Sequence, residues 1–214
     1  FETDDAGKIT AITAVDWVHA TQGNASADVA NTYLMLKLVD ESFAEKYLVD
    51  FCKKHHILLI SDAAYVDMYF KPELKPMSIL EIEGAKDIAV EFFSFSKPYA
   101  ITGWRLGWIC GNSEAVKIFG KLKSTLDSGL FKALQKACAE ILNSQEGEEY
   151  IKEANERFKR NQEIFVKGLR EELGWGDFNI PDATFYLWLP IPPRYKSSVE
   201  FTDELMYKSG VVAV

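Results

Sequence analysis

Two short apolar runs that each end in chemically active side chains constrain the fold of this chain most strongly. Ile57–Ser61 and Ile88–Phe95 are too short for helices and resemble buried strands. Asp62 follows the first run, and Ser94 and Lys97 lie at the end of the second. In an open parallel sheet, ligands bind at the carboxyl ends of the strands. The sequence therefore predicts an α/β fold with a ligand site at that edge of the sheet.

The order and spacing of three charged residues indicate a pyridoxal phosphate site. Lys97 lies 35 positions after Asp62, and Arg105 lies eight positions after the lysine. This cofactor needs a lysine amine to hold its aldehyde, a carboxylate to keep its pyridine nitrogen protonated, and a cationic fork with hydroxyls to bind its phosphate. Lys97, Asp62, and Arg105 with Ser94 supply one of each. Singly, such residues are usually caps, turns or solvated surface, so the combination carries the prediction.

The motifs around these residues resemble a known family. They are Ser-Asp-Ala-Ala-Tyr (61–65), Ser-Phe-Ser-Lys (94–97), Thr-Gly-Trp-Arg-Leu-Gly (102–107) and Ala-Thr-Phe-Tyr-Leu-Trp (183–188). Together they resemble the class I/II aminotransferases, the fold-type I pyridoxal phosphate enzymes, and most of all the LL-diaminopimelate aminotransferases and their bacterial relatives. The resemblance implies a transaminase that exchanges an amino group between an amino acid and a 2-oxo acid. It also implies a homodimer with active sites near the interface.

The resemblance assigns a role to each candidate residue. Lys97 would hold the cofactor and move the proton at the substrate α-carbon, while Asp62 would keep the ring nitrogen protonated. The hydroxyl of Tyr65 would bond the cofactor's phenolic oxygen. Ser94 and Arg105 match the phosphate-binding positions, where an arginine fork offers paired donors that a lysine lacks. The catalytic candidates are Lys97, Asp62 and Tyr65, and the cofactor-binding candidates are Lys97, Asp62, Tyr65, Ser94, Ser96 and Arg105.

Composition narrows the classes of function. A net charge of −8 on 214 residues argues against a nucleic-acid or anionic-membrane partner, because neutralising phosphates requires an excess of Lys and Arg. Three widely separated cysteines suit a reducing cytoplasm rather than a disulfide framework. The adjacent His55 and His56 point apart, so no metal site is predicted. No apolar run approaches the roughly 20 residues of a membrane span. We therefore expect a cytoplasmic protein that acts on small molecules.

The remaining patterns divide the chain into two expected domains. Residues 1–145 are predicted to be part of a large cofactor-binding domain, whose mostly parallel sheet carries helices on both faces and an antiparallel strand at Gly107–Gly111. Helical patterns cover about 114–142, and one amphipathic helix over about 148–173 is expected to bridge to the next domain. Residues 146–214 would contain that helix and part of a smaller α/β domain, which begins with a strand at Thr184–Leu189. Both domains are expected to be incomplete in this sequence.

The region around Val39 departs from the family pattern. Thr32–Val39 is predicted to be a buried strand, followed by a helix with a capping box at Ser42–Glu45. The family places an Asn-Pro loop over the cofactor between such elements, and no counterpart is present here. A strand and a helix that packs back on the sheet need a connection of a few residues, so we expect either a break in the chain or residues missing from the sequence within about four positions of Val39. We likewise expect further residues before Phe1 and after Val214.

Three hypotheses about activity stay open at this point. The family's N-terminal phosphate-binding turn and its C-terminal arginine for the substrate carboxylate also have no counterpart in the sequence. Either the sequence omits segments of a complete transaminase, or it belongs to a catalytically defective relative that acts as a binding module. A fold-type I lyase or decarboxylase is the third hypothesis, because the cofactor serves all of these reactions. The amino donor and acceptor are not identified by the sequence.

Overall fold

The computed structural model describes the backbone of residues 2–3, 9–11 and 25–213 and the side chains of residues 28–213. The strands are β1 (Glu2–Thr3), β2 (Ile9–Ala11), β3 (Leu59–Asp62), β4 (Ala89–Ser94) and β5 (Gly107–Gly111). The helices are α1 (Ala25–Lys37), α2 (Glu41–Lys54), α3 (Ser113–Asp127), α4 (Lys132–Leu142), α5 (Gln145–Glu171) and α6 (Ser198–Ser209). None of the described helices is long and apolar enough to cross a membrane.

A three-stranded mixed sheet in the order β3, β4, β5 lies at the centre of the fold. β3 and β4 are parallel, with Asp62 opposite Phe92, and β5 is antiparallel to β4, with Ser94 opposite Gly107. A Cβ at Gly107 would clash with the carbonyl oxygen of Phe93, so glycine permits this close pairing. The strands predicted at 57–61 and 88–95 and the antiparallel strand at 107–111 are confirmed. β1 and β2 form a separate antiparallel pair.

Helices cover both faces of this sheet. On one face, Val49 of α2 packs in a buried cluster with Ile79 and Ala89. On the other face, the rings of Phe92 and Phe119 of α3 meet edge to face, 5.8 Å apart. Ala89 and Phe92 belong to opposite faces because side chains alternate along a strand. The predicted α/β class, with helices on both faces of the sheet, is confirmed.

A second buried cluster fixes the loop that follows β4. Phe95, Tyr99 and Leu106 pack against Cys138 of α4, and Ile151 of α5 contacts the same cluster. The residues between Phe95 and Leu106 therefore have an apolar support at each end of the loop. This loop contains Lys97 and Arg105.

The predicted strand at Thr32–Val39 is wrong, because these residues end α1 and enter a turn. α1 contains several good helix formers, Ala, Leu, Met and Lys, and a short apolar run cannot be told from a buried helix by periodicity. The chain is continuous here: the Val39 N–H donates to the Leu36 carbonyl at 2.9 Å. The predicted break in the backbone near Val39 is therefore wrong, and the alternative that residues are absent from the sequence there stays a prediction. A helical hairpin such as α1–α2 needs only about two to five connecting residues, and residues 38–40 provide them.

The N-terminus of α2 lies two residues earlier than predicted. Asp40 is the N-cap, and its side chain accepts a hydrogen bond of 2.9 Å from the Phe43 N–H. Ser42 lies inside the first turn, so the predicted capping box at Ser42–Glu45 is wrong. An aspartate cap satisfies one of the free N–H groups of the first turn as well as a serine would.

The C-terminal third contains one confirmed helix and one incorrect strand. The predicted amphipathic helix is present as α5, and the helical region before it is divided into α3 and α4. The predicted strand at Thr184–Leu189 is wrong: Thr184 has a φ of 65°, which interrupts an extended run. A single bridge joins Ala183 to Tyr69. Beyond α5, the described residues contain this bridge and α6.

Candidate active site

The candidate catalytic residues lie at the carboxyl ends of two neighbouring strands. Asp62 is the last residue of β3, and Lys97 follows β4 by three residues. Because β3 and β4 are parallel neighbours, both ends lie at the same edge of the sheet. The Lys97 Nζ lies 5.7 Å from the centre of the Tyr65 ring. The structure thus brings Lys97 to the turn that begins with Asp62.

The loop after β4 joins the predicted phosphate-binding residues through three hydrogen bonds. The Ser96 N–H donates to the Ser94 Oγ at 3.0 Å, and the Thr102 Oγ1 donates to the Ser96 carbonyl at 3.1 Å. The Arg105 Nη1 donates to the Thr102 carbonyl, also at 3.1 Å. Arg105 has a left-handed backbone with a φ of 52°, which is uncommon outside glycine. The Ser94 hydroxyl and the exposed Arg105 guanidinium are therefore held by contacts within residues 94–105, and both are groups that suit a phosphate.

Aromatic residues from the C-terminal third form a second wall beside the lysine. The Lys97 Nζ lies 5.9 Å from the centre of the Phe185 ring, a distance typical of a cation–π contact. The hydroxyls of Tyr65 and Tyr186 are 2.9 Å apart, within hydrogen-bond distance. This bond raises the pKa of Tyr186, and the positive charge of Lys97 opposes the rise. One amine and two phenols therefore form a single polar and aromatic cluster.

Backbone contacts hold this C-terminal segment beside the residues that follow Tyr65. The Thr184 N–H donates to the Met68 carbonyl, and the Phe70 N–H donates to the Asp182 carbonyl, each at 3.0 Å. The side chains of Lys71 and Asp182 form an ion pair at 2.9 Å. Residues 68–71 and 182–184 thus lie side by side, which places residues 185 and 186 next to Tyr65.

Two side chains of α5 bind the same pair of segments. The Asn155 Nδ2 donates to the Asp67 carbonyl at 2.8 Å, and Asn155 is buried. Further along the same helix, the Gln162 Nε2 donates to the Pro181 carbonyl at 3.0 Å. α5 therefore anchors both sides of the aromatic wall, because amide side chains satisfy backbone carbonyls outside regular structure.

A cleft of about 440 Å³ opens beside Asp62 and Tyr65. Its lining also includes Glu91 and the ion pair of Lys37 with Glu45, whose Nζ and Oε1 are 2.7 Å apart. Asp62 is exposed to solvent, and its Oδ1 is 3.4 Å from the Ala64 N–H, a long contact. The cleft lining does not include the other candidates, which are Lys97, Ser94, Ser96 and Arg105. The cleft therefore adjoins Asp62 and Tyr65 rather than the loop that contains Lys97 and Arg105.

Phe185 and Tyr186 are the site residues that the sequence interpretation missed. Their motif at 183–188 indicated the family, but it was assigned to a strand and given no role. Tyr186 contacts Tyr65 across 121 positions of sequence, and no local periodicity predicts such a contact. The family motif was the one signal that pointed to them.

The fold of this chain is that of the fold-type I aminotransferases, as its likeness to solved structures shows. The apo structure of BacF from Bacillus subtilis matches this chain with a TM-score of 0.73 and 32% sequence identity, over 81% of this chain and 45% of BacF. The sequence profile of the family described as aminotransferase class I and II matches residues 45–214. The chain belongs to that family, and the predicted resemblance is confirmed.

The curated relatives point to one branch of this family. The LL-diaminopimelate aminotransferase 2 of Trichormus variabilis is 46% identical over 165 residues, which are 77% of this chain and 41% of the relative. The LL-diaminopimelate aminotransferase of Nitratidesulfovibrio vulgaris is 40% identical over 171 residues, 80% of this chain and 43% of the relative. The chain thus spans less than half the length of the curated relatives it matches.

Proposed function

We propose that this chain carries the cofactor site of a pyridoxal phosphate-dependent aminotransferase, which exchanges an amino group between an amino acid and a 2-oxo acid. One observation supports this proposal most strongly. The carboxyl end of β3 with Asp62 adjoins the loop after β4, where the Lys97 amine lies over the ring of Tyr65. Family membership is consistent with the same chemistry.

The donor groups of the site fit the chemistry of this cofactor. Asp62 offers an exposed carboxylate at the end of β3, and Lys97 offers an amine beside an aromatic ring. Ser94 at the end of β4 offers a hydroxyl, and the loop after it contains Ser96 as a second candidate, with the Arg105 guanidinium hydrogen-bonded to the same loop. An aldehyde, a ring nitrogen and a phosphate require these three kinds of group.

Each residue has a distinct task in the proposed reaction. Bound pyridoxal phosphate draws electrons from the carbon next to the substrate nitrogen, which makes the proton on that carbon acidic. Lys97 would hold the cofactor until the substrate amine displaces it, and its freed amine would then carry that proton, while Asp62 would hold a proton on the ring nitrogen. Tyr65 would donate to the cofactor's phenolic oxygen. Ser94, Ser96 and Arg105 would bind the phosphate.

Covalent labelling of Lys97 tests the proposal. The expressed chain is incubated with pyridoxal phosphate, reduced with borohydride, digested and mapped by mass spectrometry. We expect the label on Lys97 and its loss in Lys97→Ala. Lys86→Ala is the control, since Lys86 is exposed in a short helical turn away from the site, and it should label at Lys97 as the parent does. A label on another lysine contradicts the assignment, and no label favours the hypothesis of a defective binding module.

Removal of the Asp62 charge tests the role of the carboxylate. Asp62→Asn keeps the size of the side chain but cannot hold the ring-nitrogen proton by charge. We expect folding and Lys97 labelling to persist while turnover falls severely. Turnover within about threefold of the parent would refute this role, because a group that acts on the reacting state must change the rate.

The substrate, assembly and location belong to the same proposal. The names of the relatives support LL-diaminopimelate as the amino donor, and a panel with glutamate, aspartate and an aromatic amino acid would identify the preferred donor. If an amino acid in this panel loses a carboxyl group or a β-substituent instead of its amino group, a lyase or decarboxylase would be favoured.

We further propose that α5 bridges a large domain, residues 1–145, and a smaller one. We also propose that the protein is a homodimer, which sedimentation would measure. A cytoplasmic location is supported by the free cysteines.

A further inference from the structure

The contact between Tyr65 and Tyr186 joins the C-terminal segment to the candidate cofactor site. The two hydroxyls are 2.9 Å apart, and the two rings meet edge to face with centroids 5.8 Å apart. Phe185 packs against both tyrosines, with ring centroids 6.2 Å from Tyr65 and 4.7 Å from Tyr186. Phe185 also lies over the Lys97 amine. The geometry thus links Tyr186 to Lys97 through Tyr65 and Phe185.

We propose that Tyr186 is a positioning residue of the cofactor site, whose hydroxyl orients the hydroxyl of Tyr65 toward the phenolic oxygen of the cofactor. This inference rests on the proposed function. Tyr186 acts through Tyr65 and is not a catalytic residue.

The hydrogen-bonding capacity of a phenol gives the physical reason. A tyrosine hydroxyl has one proton to donate and can also accept. When Tyr186 donates to Tyr65, the proton of Tyr65 remains available for a cofactor oxygen, and a chain of hydrogen bonds polarises each member. Without the Tyr186 hydroxyl, the Tyr65 hydroxyl loses one fixed partner and rotates among several directions.

The anchoring of the C-terminal segment makes Tyr186 suitable for this task. The hydrogen bond from Thr184 to Met68 and the bond from Gln162 to Pro181 lie on its N-terminal side. The Thr184 Oγ1 also accepts from the Tyr186 N–H at 3.3 Å. A side chain held by such supporting contacts orients its neighbour at a low entropic cost.

A double-mutant cycle tests the inference by cofactor binding rather than by turnover. The parent, Tyr186→Phe, Tyr65→Phe and the double variant are titrated with pyridoxal phosphate and followed by the visible absorption of the bound cofactor. Tyr207→Phe is the control, because Tyr207 is 83% exposed on α6. We expect Tyr186→Phe to weaken binding by about two- to tenfold, the worth of one neutral hydrogen bond. In the Tyr65→Phe background the same substitution should weaken cofactor binding by less than about 1.5-fold.

The pH dependence of the visible absorption band provides a second measurement. A loss of packing alone would not shift its pH midpoint. The hydrogen bond from Tyr65 favours the ionised phenolic oxygen of the cofactor, so the loss of its support should raise the pH midpoint of the band in Tyr186→Phe. Tyr207→Phe should leave the midpoint unchanged.

Two results would overturn the inference. In the first, Tyr186→Phe binds pyridoxal phosphate with the affinity of the parent and shows the same pH midpoint. In the second, Tyr186→Phe weakens binding equally with Tyr65 and with Phe at position 65, which would indicate that Tyr186 acts by packing alone. If Lys97 takes the borohydride label and either result is found, only this inference fails. If the parent takes no label, the proposed function fails and the inference fails with it.

Discussion

Glu91 is a buried carboxylate that accepts hydrogen bonds from two serine hydroxyls. The loss of one of these bonds should lower the free energy of unfolding by an amount that can be estimated. Glu91 lies in β4 with 2% of its surface exposed. Its Oε1 accepts from the Ser61 Oγ at 2.9 Å, and its Oε2 accepts from the Ser78 hydroxyl. These contacts join β3, β4 and the short helical turn at Ile79–Glu81. Ser61 also precedes Asp62, so the same contact supports the start of the candidate site.

The substitution Ser61→Ala, made alone and in a Glu91→Gln background, tests the hydrogen bond between Ser61 and Glu91. A hydrogen bond to a charged group contributes about 1.5–3 kcal/mol and one between neutral groups about 0.5–1.5 kcal/mol. We therefore expect Ser61→Ala to lower the free energy of unfolding by about 2 kcal/mol in the parent. In the Glu91→Gln background, where the partner of Ser61 is a neutral amide, the loss should be about 1 kcal/mol. For a chain of this size, about 2 kcal/mol corresponds to a fall in Tm of roughly 4–8 °C.

Urea unfolding followed by tryptophan fluorescence and circular dichroism measures the four variants of this cycle. Ser124→Ala is the control, because the Ser124 hydroxyl is exposed on α3 and bonds only a carbonyl of its own helix among the described contacts. It should change stability by less than about 0.5 kcal/mol. A loss in Ser61→Ala no larger than the control's would refute the argument, and so would an equal loss in the Glu91→Gln background.

Two further predictions concern α5 and a partly buried acid. A Cβ at Gly147 would clash with the Ile141 carbonyl oxygen, whereas no described atom comes within 4 Å of one at Gly168. Gly147→Ala should therefore cost about 1–3 kcal/mol and Gly168→Ala should add about 0.5–1 kcal/mol, as thermal unfolding would show. Burial raises the pKa of Asp67, with the charge of Lys75 opposing, so the folded chain holds this proton more tightly than the unfolded chain. Stability from this group falls as the pH rises above the ordinary value of about 4, and Asp67→Asn should stabilise the chain at neutral pH with a gain that shrinks toward about pH 4. An equal gain at both pH values would contradict this.

The sequence predicted the parts of the fold that depend on local patterns with clear limits. β3 and β4 follow from apolar runs too short for helices, and α5 follows from a long amphipathic period. Thr32–Val39 failed because a short apolar run fits a strand and a helix equally well, and tertiary context decides between them. Thr184–Leu189 failed because one residue with a positive φ ends an extended run, and nothing in a threonine signals that conformation.

The candidate site was predictable to the extent that its residues lie at strand ends. Asp62 and Lys97 belong to runs whose direction and pairing follow from the α/β pattern, so their meeting at one edge could be expected. The contact of Tyr186 with Tyr65 depends on a backbone bridge between Tyr69 and Ala183 and on the amide of Asn155. Such long-range contacts have no periodic signature.

The two halves of the candidate site are held by different kinds of contact, and their stabilities should differ accordingly. The Ser94–Arg105 half is connected by hydrogen bonds within one loop, and a buried apolar cluster supports that loop. The Tyr186 half reaches Tyr65 through contacts between segments more than about 100 positions apart, and Tyr186 itself is 49% exposed. Local opening requires the least free energy where few buried apolar contacts hold a segment. Opening of residues 183–188 would therefore release the hydroxyl of Tyr65 while the groups proposed to bind phosphate stay in place.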